Sequence, residues 1–315
     1  MSSFEIITDS AANLPDSYRV GRNIHVIPFR YIANGTEYSC LEEGVPFEES
    51  ARKFYDLLES GADIKTSLIS ESQFTAMAEP FLEEGKDVLF LTIASGISGT
   101  FNQAKNAAET LSKKYPKNHI FAIDSSNASM GQGLLALKAA DLRDMGESCQ
   151  GTAEWLIQNA YKLNSYLTVN DLKYLKKSGR ISALVALAGT LLSIKPIIKA
   201  DGGKIAQLAV CGREHGRKKS ISAILKAFHE NVISPETQTV AITHADCEEE
   251  AKALAEEVKK AGVQDVIIEY YDLCTGAHVG PGTLALFFMG KDRRGNEAEA
   301  TEKAPNKKKL RENAK

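Results

Sequence analysis

The chain has 315 residues, which suggests about two domains and a core large enough to need no disulfide or metal staple. It carries 38 Lys+Arg against 41 Asp+Glu, a formal net charge of −3, which argues against a whole-chain nucleic-acid binder. Its five cysteines (Cys40, Cys149, Cys211, Cys247, Cys274) form no CxxC pair, so a zinc ribbon or thioredoxin-type site is not expected, and scattered thiols suit a reducing cytosol.

The N-terminal MSSFEIITDS has no basic segment followed by an apolar one, so no signal peptide is expected. Residues 4–8 read as a short strand stopped by Asp9-Ser10. Residues 23–31 read as a second strand, placed near an edge because Pro28 interrupts it. Residues 47–60 repeat apolar side chains at helical spacing, through Phe47, Ala51, Phe54, Leu57 and Leu58. Lys65-Thr66-Ser67 reads as a loop and residues 72–84 as a helix. Residues 87–94 are almost all apolar, as in a strand that a parallel sheet buries on both faces. A helix over 101–113, a strand over 119–123 and a helix over 133–144 follow. The alternation predicts an α/β/α domain with a parallel sheet over residues 1–160.

The second half reads as a helix at 152–163, a strand at 165–169 and a helical stretch at 172–187 broken at Ser178-Gly179. A hairpin over 195–208 would turn at Asp201-Gly202-Gly203. A helix at 218–229, a strand at 239–244, a helix at 248–261 and a strand at 265–271 complete it. These predict a smaller α/β domain over 161–290, with a mixed sheet covered by helices on one face. The window 181–194 is too short and too rich in Ser, Gly and Thr to span a membrane, and reads as a buried or pocket-lining helix. Residues 291–315 have almost no apolar side chains and are expected to be a disordered polar tail. Lys307, Lys308 and Lys309 make it slightly basic, suited to a transient contact with an anionic partner or membrane surface.

The most informative segment is 87–113, a strand, the loop Ser95-Gly96-Ile97-Ser98-Gly99-Thr100, and a helix. Free backbone N–H groups and the dipole at such a helix start suit an anion or a polar headgroup. Gly96 and Gly99 would let a ligand approach the backbone, and three hydroxyls can donate. Helix capping alone would account for one hydroxyl. A serine-dependent hydrolase is the alternative, but Thr100 stands where the nucleophile elbow needs its last Gly, and no Asp is identifiable to orient His278. Thr8-Asp9-Ser10 and Asp124-Ser125-Ser126 end two further strands, so three polar strand ends converge where open α/β sheets bind ligands. Gly131-Gln132-Gly133-Leu134-Leu135-Ala136 is a weak dinucleotide match because it starts several residues after its strand. There is no P-loop motif.

His278 lies in TGAHVGPG (275–282), read as a loop whose Gly276, Gly280, Pro281 and Gly282 would hold its ring in place. The other five histidines (His25, His119, His215, His229, His244) show no metal-ligand spacing. Basic residues cluster at Lys176, Lys177 and Arg180 and at Arg213, Arg217, Lys218 and Lys219. These are either solvated faces or a docking surface for an acidic or phosphate-bearing partner.

In this order, several short segments resemble the DegV family over residues 1–290. They are Thr8-Asp9-Ser10 with Leu14-Pro15, Lys65-Thr66-Ser67, residues 95–100, and Asp124-Ser125 with Gly131 and Gly133. KKSGRIS (176–182), Lys195-Pro196 and HVGPGT (278–283) complete the set. The resemblance implies a two-domain α/β protein that buries one long-chain fatty acid in a tunnel. It further implies a bacterial, cytoplasmic, lipid-carrying subunit of a fatty acid kinase, whose separate ATP-dependent kinase converts the bound carboxylate to an acyl phosphate. On that basis Thr66 and Ser98 would hydrogen-bond the carboxylate and His278 would complete the headgroup site. Ser95, Gly99 and Thr100 would form a secondary headgroup loop, and Arg180 would sit near the site or at the kinase-docking face. No catalytic residue, metal, nucleic acid or cofactor beyond the fatty acid is implied. A lipid sensor without a kinase partner is a further alternative. Ser178 departs from the family pattern, where many members carry a second Gly. A carboxylate needs several short donors, and each buried CH₂ of an acyl chain contributes about 0.8 kcal/mol. The window 181–194, Phe101, Phe287 and Phe288 are candidate walls.

Overall fold

The computed structural model describes residues 4–42, 44–180, 194–200 and 208–295, with the backbone alone at 194 and 208–215. The first half runs β1 (Phe4–Asp9), α1 (Asp16–Gly21), β2 (Ile24–Ile27), β3 (Arg30–Ala33), β4 (Thr36–Ser39), α2 (Phe47–Glu59) and β5 (Ile64–Thr66). It continues with α3 (Glu71–Glu83), β6 (Asp87–Thr92), α4 (Thr100–Lys114), β7 (Ile120–Asp124), α5 (Met130–Asp144) and α6 (Cys149–Asn159). β2, β1, β6 and β7 pair in that order as a parallel sheet. The central strands β1 and β6 are buried at every position, as the apolar run over 87–94 predicts for a sheet covered on both faces.

The run expected as one strand over 23–31 divides at Pro28. Proline has no N–H to continue a ladder, so β2 stays at the sheet edge and the chain leaves for a separate antiparallel sheet, β4-β3-β5. Thr66, expected in a loop, ends β5 and pairs with Tyr31.

The second half runs β8 (Leu163–Thr168), α7 (Lys173–Ser178), β9 (Ile194–Ala200), β10 (Leu208–His215), α8 (Arg217–Asn231) and β11 (Thr239–His244). It ends with α9 (Glu248–Lys259), β12 (Asp265–Tyr270), α10 (Leu273–Val279) and β13 (Leu284–Met289). Its sheet has the order β10-β9-β8-β13-β11-β12 and is mixed, with β11 and β12 the parallel pair. The β9–β10 hairpin is present, while its turn and the window 181–193 lie outside the described residues. β13, unassigned from sequence, lies between β8 and β11.

The expectation of helices on one face of the mixed sheet is corrected. Leu284, Leu286 and Phe288 pack with Tyr166, Ile242 and Phe228 beneath α8 and α9. Ala285 and Phe287 point the other way, into the core shared with Leu163, Leu167 and the first-half sheet. The period-2 alternation of strand side chains thus serves two cores. α5 packs on both sheets and closes the second face. Its glycines allow that approach. A Cβ on Gly131 would meet Leu163 at 3.0 Å and Phe287 at 3.1 Å, and one on Gly133 would run into the Ala12 carbonyl oxygen. The G-x-G pattern is therefore a close-packing feature.

Lys291–Gly295, placed with the tail by composition, bond to the body. The Lys291 N–H donates to Asn231 O at 2.9 Å and the Arg293 N–H to Tyr161 O at 3.1 Å. Among the described residues no helix is long and apolar enough to cross a membrane.

Replacing a helical Gly by Ala ordinarily stabilises by up to about 1 kcal/mol. At Gly133 the obstacle is backbone, which cannot swing aside, and overpacking of about 1–3 kcal/mol outweighs that gain. Gly133→Ala is therefore predicted to lower Tm by several degrees in a thermal melt. Gly21→Ala, which meets open space in α1, is predicted to leave it unchanged or slightly higher.

Candidate functional site

Three elements bring the sequence-predicted residues together. β5 ends at Thr66, whose Oγ1 lies 2.9 Å from Nε2 of His278. His278, expected in a loop, sits in the last turn of α10. The sequence signal for that helix is Asp272, three residues before Thr275. Its side chain accepts from the Thr275 N–H at 2.8 Å as an N-cap. The glycines after the helix press it onto α7. Gly280 and Gly282 have φ of +79° and +73°, and a Cβ on either would run into Tyr174 or Asn170.

Arg180 joins this pair to the loop after β6. α7 ends at Gly179 in the left-handed region, and Arg180 follows. Its Nη1 donates to the Ser178 carbonyl at 2.6 Å and its Nε reaches Ile97 O at 3.5 Å. In the same loop Ser98 Oγ lies 2.9 Å from Thr100 Oγ1, and Gly99 lies against Leu68, two residues beyond Thr66.

The expectation that free backbone N–H groups line this loop is corrected for four of its six residues. Ile97 and Ser98 donate to Ala94 O, both at 3.2 Å, and Ser95 donates to Asp124 Oδ1 at 3.3 Å. Thr100 donates to Ser98 Oγ at 3.3 Å. The loop satisfies those four amides itself, and what it can offer a ligand is its hydroxyls with the N–H groups of Gly96 and Gly99. Of the secondary headgroup residues, Thr100 is buried, Ser95 is half-buried and Gly99 is exposed. Three of the four hydroxyls of the other two strand ends are likewise absorbed. Thr8 Oγ1 donates to Leu91 O at 2.7 Å, Ser10 Oγ accepts from Phe29 N at 2.9 Å, and Ser125 Oγ donates to Asn127 O at 3.0 Å.

Two further residues resolve differently from expectation. Phe287 faces the shared core, but Phe288 lies on the opposite face of β13, with its ring 5.0 Å from that of Phe228. It cannot wall a crevice on the inner side. Of the basic clusters, Lys177 pairs with Asp63 at 2.7 Å and Arg217 with Glu250 at 2.6 Å.

The electrostatics favour a neutral imidazole. Burial and the charge of Arg180 push His278 down to about 4. Neutral imidazole has one donor and one acceptor nitrogen, so the bonded Thr66–His278 pair keeps one donor for a ligand: the Thr66 hydroxyl when Nε2–H donates to it, or Nδ1–H when the hydroxyl donates to Nε2. Nothing ties His278 to Ser98 as a general base, since the hydroxyl partner of the imidazole is Thr66 and that of Ser98 is Thr100. The arrangement gathers hydroxyls, an imidazole and one guanidinium, which suits holding an anionic oxygen group more than attacking a bond.

Two carboxyls near the site, Asp9 and Asp272, are buried, which no local pattern signals. Asp9 accepts from Ala11 N at 3.1 Å and from Ile93 N at 2.9 Å. Asp272 accepts from the N–H and the hydroxyl of Thr275. Burial raises each to about 7, against those hydrogen bonds, and the charge of Asp9 raises Asp272 further.

Comparison with known proteins identifies the family. A family model described as an uncharacterised protein, DegV family, matches residues 3–291. A DegV domain-containing protein of Clostridium perfringens is 37% identical over 292 residues, covering 92% of this chain and 98% of its own. The crystal structure of DegV from Bacillus subtilis, described as a fatty acid binding protein, is 28% identical with a TM-score of 0.79, over 92% of this chain and 100% of that one. A DegV family protein of Thermus thermophilus, also described by its fatty acid binding, is 28% identical with a TM-score of 0.77, over 91% and 99%.

The buried carboxyls give a stability prediction. An acid raised in the folded state stabilises below its unfolded value, and that contribution is lost as pH rises through the folded value. For Asp272 the window runs from about 3.8 to about 7. His278, held down, works in the opposite direction between about 6.5 and about 4. Asp272→Asn removes one carboxyl from this balance. Its stability relative to wild type is expected to improve by a few kcal/mol between pH 4 and pH 8, measured by urea denaturation. An unchanged difference across that range would show that Asp272 is not held protonated.

Proposed function

Because the chain belongs to the DegV family, we propose that it binds one long-chain fatty acid in a buried tunnel, with the carboxylate held by Thr66, Ser98 and His278. We further propose that it is a carrier and not an enzyme, and that it presents the carboxylate to a separate ATP-dependent kinase protein in the cytoplasm, which makes the acyl phosphate. The observation that carries the reading is the meeting of Thr66, His278 and Arg180 beside the hydroxyls of Ser98 and Thr100. A fatty-acid carboxylate is a single anion with two oxygens. Short hydroxyl donors and one nearby guanidinium match it without requiring a metal. The family relatives described as fatty acid binding proteins support the ligand class.

The roles divide by chemistry. Thr66 and Ser98 donate to the carboxylate oxygens, and His278, neutral at physiological pH, completes the site by donating Nε2–H to the Thr66 oxygen, which leaves the Thr66 hydroxyl free for the ligand without adding a charge. Arg180, tethered to the carbonyls of Ser178 and Ile97, supplies positive potential at the edge of the site. An acyl chain of sixteen or eighteen carbons, at about 0.8 kcal/mol per buried CH₂, supplies most of the affinity. The headgroup contacts then fix which end of the lipid faces out.

The test begins with organic extraction of the freshly purified protein and mass spectrometry of the extract, which is expected to give one fatty acid per chain. The Thr66→Ala, Ser98→Ala double variant removes two donors to a charged group, at about 1.5–3 kcal/mol each, so oleate affinity should fall by tenfold or more with the circular dichroism spectrum unchanged. Wild-type oleate affinity in that folded variant would overturn the assigned headgroup site. Consumption of ATP by the isolated protein, with oleate and Mg²⁺ present, would overturn the carrier reading in favour of an enzyme.

A further inference from the structure

We propose that Asp272 and Asp9 are positioning residues of the headgroup site, one for each of its halves, and that a proton the pair shares makes affinity for an anionic ligand depend on pH. The proposal rests on the fatty-acid reading for its ligand and on the following geometry for its substance.

Asp9 anchors one half. Its carboxylate bridges the turn after β1 and the Ile93 N–H at the end of β6, from which the Ser95–Thr100 loop departs. Asp272 anchors the other half. It caps the first turn of α10, and His278 lies six residues further on, about 9 Å along the helix axis. The rest of the helix has little freedom. Tyr55 Oη donates to Tyr271 O at 3.0 Å, and a Cβ on Gly276 would run into that same hydroxyl. α10 also packs on the turn that Asp9 caps, so the elements that hold the two anchors are in contact.

The groups around the pair are poor counter-ions. Cys40, Tyr55, Tyr271 and Cys274 face Asp272, all uncharged and all raised further by burial. Gln132 borders Asp9, and Asp16 and Arg19 line the small cavity beside it. The charge of Arg180 reaches Cys274 and His278. Both carboxyls are raised to about 7, so near neutrality the pair retains a proton. Losing that proton sets two negative charges against each other in a buried contact. It also places a second negative charge near the point where a ligand carboxylate would dock. The repulsion within the pair acts in free and bound protein alike, so the second effect is the one that weakens ligand binding as pH rises, while His278 stays neutral throughout.

The pair can be separated from simple capping. Asn at position 272 can accept from the Thr275 N–H and donate to the Thr275 hydroxyl, so Asp272→Asn keeps the cap and removes the charge. Asp272→Ala removes both. The probe is oleate, displaced against a fluorescent fatty acid from pH 6 to pH 8.5. The second readout is the ¹⁵N spectrum of the His278 imidazole in ligand-free protein at pH 7. Wild-type affinity is expected to weaken several-fold across the range, and that of Asp272→Asn to vary by less than twofold. Asp272→Ala is expected to weaken oleate five- to tenfold at every pH and to move the imidazole resonances. Combined with His278→Ala, it should cost nothing further. If Asp272→Ala does not fold, Thr275→Ala removes the hydroxyl half of the contact while keeping the N–H cap, and should move the resonances in the same direction by a smaller amount.

Wild-type affinity that does not vary with pH, or imidazole resonances unmoved by both Asp272→Ala and Thr275→Ala, would overturn the proposal. So would an equal cost of Asp272→Ala with and without His278. Failure of the wild type to take up oleate at any pH would instead count against the fatty-acid reading, and the ligand-free imidazole spectrum would still decide whether Asp272 positions His278.

Discussion

The contact between Thr66 and His278 joins residues 212 positions apart in the chain, and the candidate site exists only while that contact is held. One hydrogen bond of this kind contributes about 1 kcal/mol net, too little to bring two distant segments together. The backbone on either side must deliver them. Thr66 is fixed by the pairing of β5 with β3. His278 is fixed by a helix of two turns, capped at one end by Asp272 and pressed at the other onto α7 through Gly280 and Gly282. The short bond is therefore the consequence of two rigid supports, and its length reports on them.

Close packing between the two halves provides the larger frame. α5 lies against both sheets because Gly131 and Gly133 leave room for Leu163, Phe287 and the Ala12 carbonyl. Ala12 belongs to the turn that follows Asp9, and α10 packs on that same turn. One short stretch after β1 thus touches the helix that couples the sheets and the helix that carries His278. Protein interiors are dense and deform little, so a shift at this turn reaches both halves of the site.

Where the sequence was legible, one local signal sufficed. The buried strand over 87–94 and the helix–strand alternation around it needed only apolar runs and turn residues, and they placed the parallel sheet. The same runs placed β11 at 239–244 without error. What stayed hidden depended on partners far away in the chain. β13 is a six-residue apolar run whose central position follows from pairing with β8 and β11, which no local pattern announces. The single strand expected over 23–31 failed because Pro28 ends a ladder instead of merely marking an edge. Thr66, Ser98, Arg180 and His278 could be named from short motifs. The internal satisfaction of four loop amides, the helix beneath His278 and the burial of Asp9 and Asp272 emerge only in the folded chain.

The two buried acids are not equivalent, and the difference bears on why either is an acid. Both oxygens of Asp9 accept from main-chain N–H groups, at Ala11 and Ile93. An amide there would turn its NH₂ toward one of those donors, so an acceptor pair is imposed by the backbone and a carboxyl is the group that supplies it. Asp272 is under no such constraint. One of its partners is a hydroxyl, which can donate or accept, and Asn or Ser caps a helix about as well as Asp. An ionisable group placed in dry surroundings opposite another acid carries a desolvation cost that neutral caps avoid. Capping alone does not account for the choice of Asp at 272. A charge that responds to protonation, two helical turns from the imidazole that completes the headgroup site, does.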